Sequence, residues 1–529
     1  MSIMKKIKIY YLYILSMVFG VGLTSCLDDL NLEPIDPSTI QSFNQDEVFA
    51  KVYASWALSG QQGPAGNNDI DIDDEGRFSL TRSLWNCSEL PTDEAICAWG
   101  DAEVITLNVN NFTSLNNSLK AIYARLYFVI TISNHFLEQT ASLNDDKTVK
   151  QRAEVKFIRA LSYYYLMDLF GNVPFATEIK TEAPEQIKRA DLFAWIESEL
   201  KAIEPDMYEA KAAPYYRLDK VANWLLLSRL YINAKVYTGT EHWNDAAIYA
   251  KKVIDSQYTL ATKYKYLFMA DNASVVDGST VNDAANEIIF PIAIDGVKTK
   301  SWGSMIFLVN STRTSDMPAW GTSGSWGGNR ARFALVKKFF PDGNVPSSND
   351  LTVAAADNRA MLFSVGRTAS ISDPTMFKQG ISVQKYSNIR ADGGATHDVE
   401  FPDTDIPFMR KAEAYLTYAE AVLRGASVIG NYTAVQAVNA VRTRANASSF
   451  LTSELTLDVM LDEWAREFYF EGRRRTDLIR FNVFTGSTYL WDWKGGAASG
   501  ASIPSYMNLM PIPADDLNAN PNLEQNTGY

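Results

Sequence analysis

The chain has 529 residues, 47% of them hydrophobic, and a formal net charge of −13. That length and apolar fraction suffice for a large core, and length alone suggests two to four domains. An acidic body does not suit nucleic acid, whose phosphates require basic partners, and it does not suit adsorption to an anionic membrane surface.

The first residues carry Lys5, Lys6 and Lys8, followed by an apolar stretch from Ile9 to Leu23 and then Thr24-Ser25-Cys26. A basic start, an apolar middle and small residues before a cut describe a secretory signal. The apolar run of about 15 residues falls short of the roughly 20 needed to span a bilayer. Residues 1–25 therefore read as a lipoprotein signal peptide and Cys26 as the lipidation site, so that an acyl chain rather than charge holds the protein at a membrane. An uncleaved anchor helix is the alternative. Loss of residues 1–25 removes three Lys and no acid, taking the net charge from −13 to −16. Residues 26–45 read as a lipidated tether and 46–529 as a single domain. Cys87 and Cys97 remain in a compartment that permits disulfides; a disulfide and two buried free thiols are both open readings.

Along the domain, 46–59 reads as a short amphipathic helix and 60–110, rich in Gly, Asn and Asp, as loops. Helical apolar spacing marks Asn116–Thr140, and a second helix runs from about Lys147 to Phe170, stopping at Gly171 with Pro174 beyond. Val221–Tyr237 followed by Trp243–Ile254 forms a helix pair with small Ala positions. Pro407–Gly425 followed by Tyr432–Ala445 repeats that plan. Pairs of about 34 residues with Ala and aromatic residues at these offsets resemble tetratricopeptide repeats. Asp458–Phe484 reads as one more helix, with Arg and Glu residues at three- and four-residue spacing that describe a solvated or ion-paired face. Residues 262–400 carry little helical period. The expected fold class is mainly α: a tetratricopeptide-like helical-repeat scaffold, with repeats at about 110–260 and 405–484. Loop-rich portions at about 60–110 and 262–400 form the ligand site, since loops on a rigid scaffold carry function.

Catalytic signatures are scarce. His135, His242 and His397 lie far apart without metal-ligand spacing, and no nucleophile-elbow, phosphate-loop or zinc-protease motif is present. A glycosidase needs only two carboxylates, but no segment suggests a sheet or barrel to hold such a pair. The expectation is a non-enzyme with no cofactor. The run Asp69-Ile70-Asp71-Ile72-Asp73-Asp74-Glu75-Gly76 invites a calcium reading, yet Asp74 and Leu80 stand where an EF-hand loop needs Gly and Glu. A solvated acidic loop is the first reading and an irregular calcium site the second. Trp302, Trp320 and Trp326 fall within one Gly- and Ser-rich stretch, and Trp99 lies in the other loop region. Large rings on polar loops suit the apolar C–H faces of sugars, with Arg or Asn for the hydroxyls. Loop anchoring is the competing use of these rings.

Several stretches together resemble the SusD/RagB family of Bacteroidota outer-membrane lipoproteins. They are Arg152–Leu161, Asp168–Phe175, Arg410–Leu416, Glu467–Arg474 and the run from Pro511 to Tyr529. Asn86–Glu94, Leu267–Asn272 and Tyr489–Gly496 are similar to the starch-binding member of the family. Asp28 and Asp29 behind Cys26 also resemble the surface-export signal of such lipoproteins. The resemblance implies four tetratricopeptide-like units. It also implies a non-enzymatic glycan binder at the cell surface that caps a SusC-type TonB-dependent transporter. It places a three-ring arc at Trp99, Trp302 (Tyr in the starch binder) and Trp326, and a hydroxyl-binding guanidinium at Arg82. Two positions depart from the pattern: Cys97 replaces a further Trp, and Ala102 replaces an Asn that contacts sugar hydroxyls. The expected partners are thus an α-glucan, the transporter and, through Cys26, the outer membrane.

Overall fold

A computed structural model describes residues 43–65, 67–274 and 281–529. The signal peptide, Cys26 and nearly all of the tether lie outside the described residues. Among the described residues no helix is long and apolar enough to cross a membrane.

Helix α1 (Gln45–Ala57) buries Phe49, Val52 and Trp56. It is followed by α2 (Leu80–Glu89), strand β1 (Ala95–Cys97) and α3 (Ala102–Asn108). The expectation of loops over 60–110 therefore needs correction. Every side chain of α2 is buried; Leu80, Leu84 and Cys87 do recur at helical spacing, but over only ten residues inside a stretch rich in Gly, Asn and Asp.

Two long helices follow, α4 (Asn117–Gln139) and α5 (Asp146–Phe170). Asn116 caps α4 by accepting from the Ser118 and Leu119 amides at 2.9 and 3.2 Å, and Asp145 caps α5 by accepting from the Thr148 amide at 3.0 Å. Such caps satisfy amides that have no intrahelical partner. Gly171, at φ +76°, ends α5. The two-stranded ribbon β2 (Val173–Pro174) and β3 (Gln186–Ile187) leads to α6 (Arg189–Ile203), which packs on α5. Sequence reading passed over α6, although Leu192, Ile196, Leu200 and Ile203 are buried along it at helical spacing.

The next pair is α7 (Lys220–Ile232), continued by the single turn α8 (Ala234–Thr238), with α9 (Trp243–Ile254). Ala246, Ala247 and Ala250 of α9 are fully buried, and these small side chains let α9 sit between α7 and a later helix, α13. The middle of the chain is irregular, with strand β4 (Ile288–Ile292), α10 (Met305–Asn310), β5 (Asn329–Ala331), α11 (Phe333–Phe339) and α12 (Thr352–Ala355). Strands β6 (Leu362–Phe363) and β7 (Ser382–Val383) pair with each other, while β4 pairs antiparallel with β8 (Ile406–Arg410). From β8 the chain enters α13 (Ala412–Leu423) and its partner α14 (Ala434–Arg444), which starts with a Thr433–Gln436 capping box.

The predicted helix over 458–484 is two helices, α15 (Leu457–Phe468) and α16 (Arg474–Arg480). Between them Phe470 (φ +64°) and Gly472 (φ +76°) turn the chain. The turn is used: the Phe470 carbonyl accepts from Trp85 Nε1 and Tyr386 Oη, both at 3.0 Å, and Glu89 Oε1 accepts from the Gly472 amide at 2.6 Å. Its charges are ion-paired and buried rather than solvated. Glu467 meets Arg410 at 2.6 Å, Arg359 at 3.3 Å and also Arg444. Glu463 meets Arg359, Arg442 and Arg466 at 2.7–2.9 Å. Arg410 also holds Glu287 and Glu471, at 3.0 and 2.8 Å, and Arg474 holds Asp93 at 2.7 Å. These pairs tie α15 to β8 and α14, and α16 to the segment before β1. The chain closes with the single turn α17 (Ala514–Ala519). Residues 46–529 form one compact unit.

Candidate functional site

The irregular middle of the chain is fixed first by backbone pairing. Strands β1 and β5 run antiparallel, with Ala95 opposite Ala331 and Cys97 opposite Asn329, and the Ala98 amide extends the ladder to the Gly328 carbonyl at 3.0 Å. Trp99 and Trp326 leave this ribbon on the same end. Arg332, fully buried, staples it: Nε donates to the Ala95 carbonyl at 2.7 Å and Nη2 to the Asn108 carbonyl at 2.6 Å.

The loop bearing Trp326 is held to the end of α10. The Trp326 amide donates to the Asn310 carbonyl at 2.9 Å and the Gly328 amide to the Ser311 carbonyl at 2.7 Å. Trp99 lies flat on this loop, its Nε1 donating to the Trp326 carbonyl at 3.2 Å. Gly328 is required here, since a Cβ at that position would sit 2.3 Å from the Trp99 ring. Trp302 approaches from the third side. Ser79, the cap of α2, accepts from the Arg82 amide at 3.2 Å and donates to the Gly303 carbonyl at 2.8 Å, joining the Arg82 helix to the Trp302 segment.

Three sequence-distant rings thereby meet. Trp99 and Trp326 have centroids 6.5 Å apart and planes 52° apart; Trp326 and Trp302 are 6.3 Å and 46° apart. All three are partly exposed. Trp326 is the middle ring, and both outer rings are tilted from it. Two buried rings support the row, Phe401 packing 4.8 Å from Trp302 and Phe307 6.2 Å from Trp99. Sequence reasoning missed both. Phe401 lies in a short polar loop like the three Trp, and that context was the available signal; Phe307 sits in a helix buried on every side.

Arg82 sits at the Trp99 end, its guanidinium 5.0 Å from the Trp99 ring centroid and 4.9 Å from that of Phe307. The side chain donates to no acceptor and pairs with no carboxylate among the described residues, and its Nε is sealed from solvent without a partner. Burial lowers its pKa to about 10. A strong donor is thus kept unengaged beside a flat ring. Half-exposed ion pairs flank the row: Arg77–Asp101 at 2.8 Å near Trp99, and Lys300–Asp398 at 2.7 Å near Trp302.

Other expected residues fall elsewhere. Trp320 anchors its own loop, Nε1 donating to the Gly324 carbonyl at 3.0 Å. Cys97 is 2% exposed and contributes nothing to the surface of the row; it and Cys87 are free thiols, each pushed up to about 12 by burial. Ala102 opens α3 and offers no polar group. In the acidic run, Asp69 pairs with Lys51 at 2.7 Å and Asp74 Oδ1 accepts from the Arg77 amide at 2.9 Å. Among the described residues no group of three or more His, Cys, Asp or Glu side chains is arranged to hold a metal ion.

Comparison with known proteins places this geometry in context. A model of the SusD family matches residues 268–529, and a second, described as starch-binding and associating with the outer membrane, matches residues 78–232. The starch-binding protein SusD of Bacteroides thetaiotaomicron is 43% identical over 563 aligned residues, covering 99% of each chain. SusD-like protein P25 of Formosa agariphila is 23% identical, covering 79% of this chain and 80% of that one. Among solved structures, a SusD-like carbohydrate-binding protein from Bacteroides fragilis superposes with a TM-score of 0.69 at 19% identity, over 91% of this chain and 98% of that one. Surface glycan-binding protein A of Bacteroides thetaiotaomicron, in complex with laminarihexaose, gives 0.65 at 18% identity over the same shares. These superpositions match the mainly helical fold described above.

Proposed function

The chain belongs to the SusD family, and on that premise we propose that it is a cell-surface lipoprotein that captures starch-like α-glucan and maltooligosaccharides by aromatic stacking. It hands them to a SusC-type TonB-dependent transporter in the outer membrane, to which Cys26 anchors it. The role is binding without catalysis. One observation carries the reading: Trp99, Trp326 and Trp302 converge from separate segments into a row of mutually tilted, partly exposed rings with the unengaged Arg82 at one end. A coiled glucan presents apolar C–H faces along a curve. Each indole covers one such face, as flat aromatic groups do in sugar sites, and Arg82 donates to the hydroxyls at its edge. Losing the Asn at position 102 removes one polar contact, so curvature rather than hydroxyl pattern governs selection. The similarity to a starch-binding protein at 43% identity supports this ligand over others.

The test is calorimetry of the full chain in detergent against maltoheptaose, a cyclodextrin, dextran and a peptide mixture. Curved α-glucans bind and the peptide mixture does not. Trp326→Ala weakens glucan binding by about 1–3 kcal/mol, the scale of a buried anchor. Equal affinity in that variant removes the ring row from the argument, and preference for the peptides replaces the sugar reading altogether.

A further inference from the structure

A second cleft, of about 600 Å³, opens beyond the far end of α3. Its first wall starts at Val109, directly after the seven-residue helix that leads away from Trp99. That helix is only about 10 Å long at 1.5 Å per residue. None of Trp99, Trp302, Trp326 or Arg82 lines the cleft.

Its lining is unusual for this protein. Charged residues make up 21% of the chain, yet no charged side chain lines the cleft. The walls are aromatic rings, amides, hydroxyls and glycine backbone. Phe112 and Tyr529 stack, 6.3 Å apart with planes 25° apart, and Tyr506 meets Tyr529 edge-on at 4.9 Å. Gly528 fixes the Tyr506 ring: a Cβ there would stand 2.3 Å from it, so only glycine lets the chain lie against that ring. Tyr506 nonetheless remains 38% exposed. Tyr529 Oη is engaged, donating to the Leu509 carbonyl at 2.8 Å. The Tyr506 hydroxyl, the Asn111 side-chain amide and the Ser502 hydroxyl make no hydrogen bond among the described residues, and all three residues are exposed.

We propose that this cleft is a second, separate binding site for an uncharged oligosaccharide. The chemistry decides the class. An anionic ligand finds no basic side chain in the lining, and a wholly apolar one would strip water from hydroxyls and amides without replacing their bonds. A sugar matches both halves of the lining, setting its C–H face on Tyr506 and its hydroxyls on Asn111 and Ser502. The volume lies within the range of small-ligand clefts. Two weak sites on one molecule retain a long polymer more strongly than either does alone, provided the polymer reaches both.

The experiment uses the full chain in detergent, carrying Trp302→Ala and Trp326→Ala so that the ring row is disabled. Maltoheptaose and laminarihexaose serve as neutral probes and an oligogalacturonate as the charged one, with contact read by saturation-transfer NMR. At least one neutral probe gives saturable binding to this chain, the charged probe gives none, and Tyr506→Ala lowers the affinity at least tenfold. Because Tyr506 also packs on Gly528, Asn111→Ala serves as the second variant and lowers affinity about threefold without shifting the melting temperature. Absence of binding by both neutral probes overturns the proposal, as does binding that neither variant changes. Failure of the ring row itself is read separately, from Trp326→Ala with the cleft intact.

Discussion

Two buried guanidiniums show how differently one side chain is used in two parts of this molecule. Around Glu467, Arg359, Arg410 and Arg444 share carboxylates in a fully buried network. Burial opposes the charge on Arg410, but Glu471 and Glu467 outweigh it and hold its pKa well above the ordinary value. Around Trp99, Arg82 is also buried yet packs on two aromatic rings and pairs with no acid, and burial is the main cause that brings its pKa down to about 10. The first arrangement spends every donor on the protein and fixes which segments lie together. The second leaves donors unspent, at a cost in stability, where a ligand can use them. The contrast separates residues that build the scaffold from those that read the sugar, and substitutions in the two regions should have opposite signatures.

The largest expected effect is in the network. Glu467→Gln leaves three guanidiniums short of an acceptor, and breaking a buried charge cluster by removing one partner costs about 3–5 kcal/mol. Urea unfolding reads this as a lower midpoint at unchanged slope. Glucan affinity of the folded fraction stays as it was, because Glu467 touches none of the rings. A fall in affinity as large as the fall in stability would merge the two regions that the structure separates.

Acid should attack the network through Glu463. Burial pushes this carboxyl up, but Arg359, Arg466 and Arg442 more than offset it, bringing the pKa to about 2 from an ordinary 4.5. The folded value is depressed, so the stabilisation is complete above pH 4.5 and drains away as pH falls from there towards 2. A shift of that size corresponds to about 3 kcal/mol. Glu463→Gln removes this part of the acid dependence, so stability of the variant changes less than that of the parent between pH 5 and pH 3. Equal slopes in the two chains would assign acid lability to other carboxylates.

The helical half of the fold was legible in the sequence from three kinds of signal: the apolar spacing over Asn116–Thr140, the Gly171 and Pro174 that close α5, and the Ala positions of α9, α13 and α14. The caps Asn116, Asp145 and Thr433 also stand in the sequence. Helix α2 was missed although Leu80, Leu84 and Cys87 keep helical spacing, because it is short and lies in a stretch rich in Gly, Asn and Asp. The break between α15 and α16 had one signal in the sequence, Gly472, which was passed over; Phe470 carries no turn chemistry, and its carbonyl is held by Trp85 and Tyr386, which are 385 and 84 residues away. At the site, Trp residues on Gly-rich loops pointed to Trp302 and Trp326, and the family resemblance picked out Trp99 and Arg82. Which ring lies in the middle was beyond the sequence, since it depends on β1 pairing with β5 across more than 200 residues. The supporting Gly328 gains its meaning only from that pairing.

Arg82→Met tests the other side of the comparison and should have the smallest effect on folding, with the opposite sign. Methionine keeps much of the length of the side chain and its contact with Trp99 and Phe307, since its polarizable sulfur packs well against rings. It discards a buried charge that has no carboxylate and an Nε with no acceptor. Replacing an unpaired buried polar group with an apolar one of similar shape is neutral or stabilising, so the urea midpoint should hold or rise by the equivalent of about 1 kcal/mol. Maltoheptaose affinity should fall about tenfold, because a charge-assisted bond to a hydroxyl is lost while the rings stay in place. A variant that loses both stability and affinity would mean that Arg82 braces the Trp99 ring instead of waiting for a sugar, and the site would then have no polar anchor at that end.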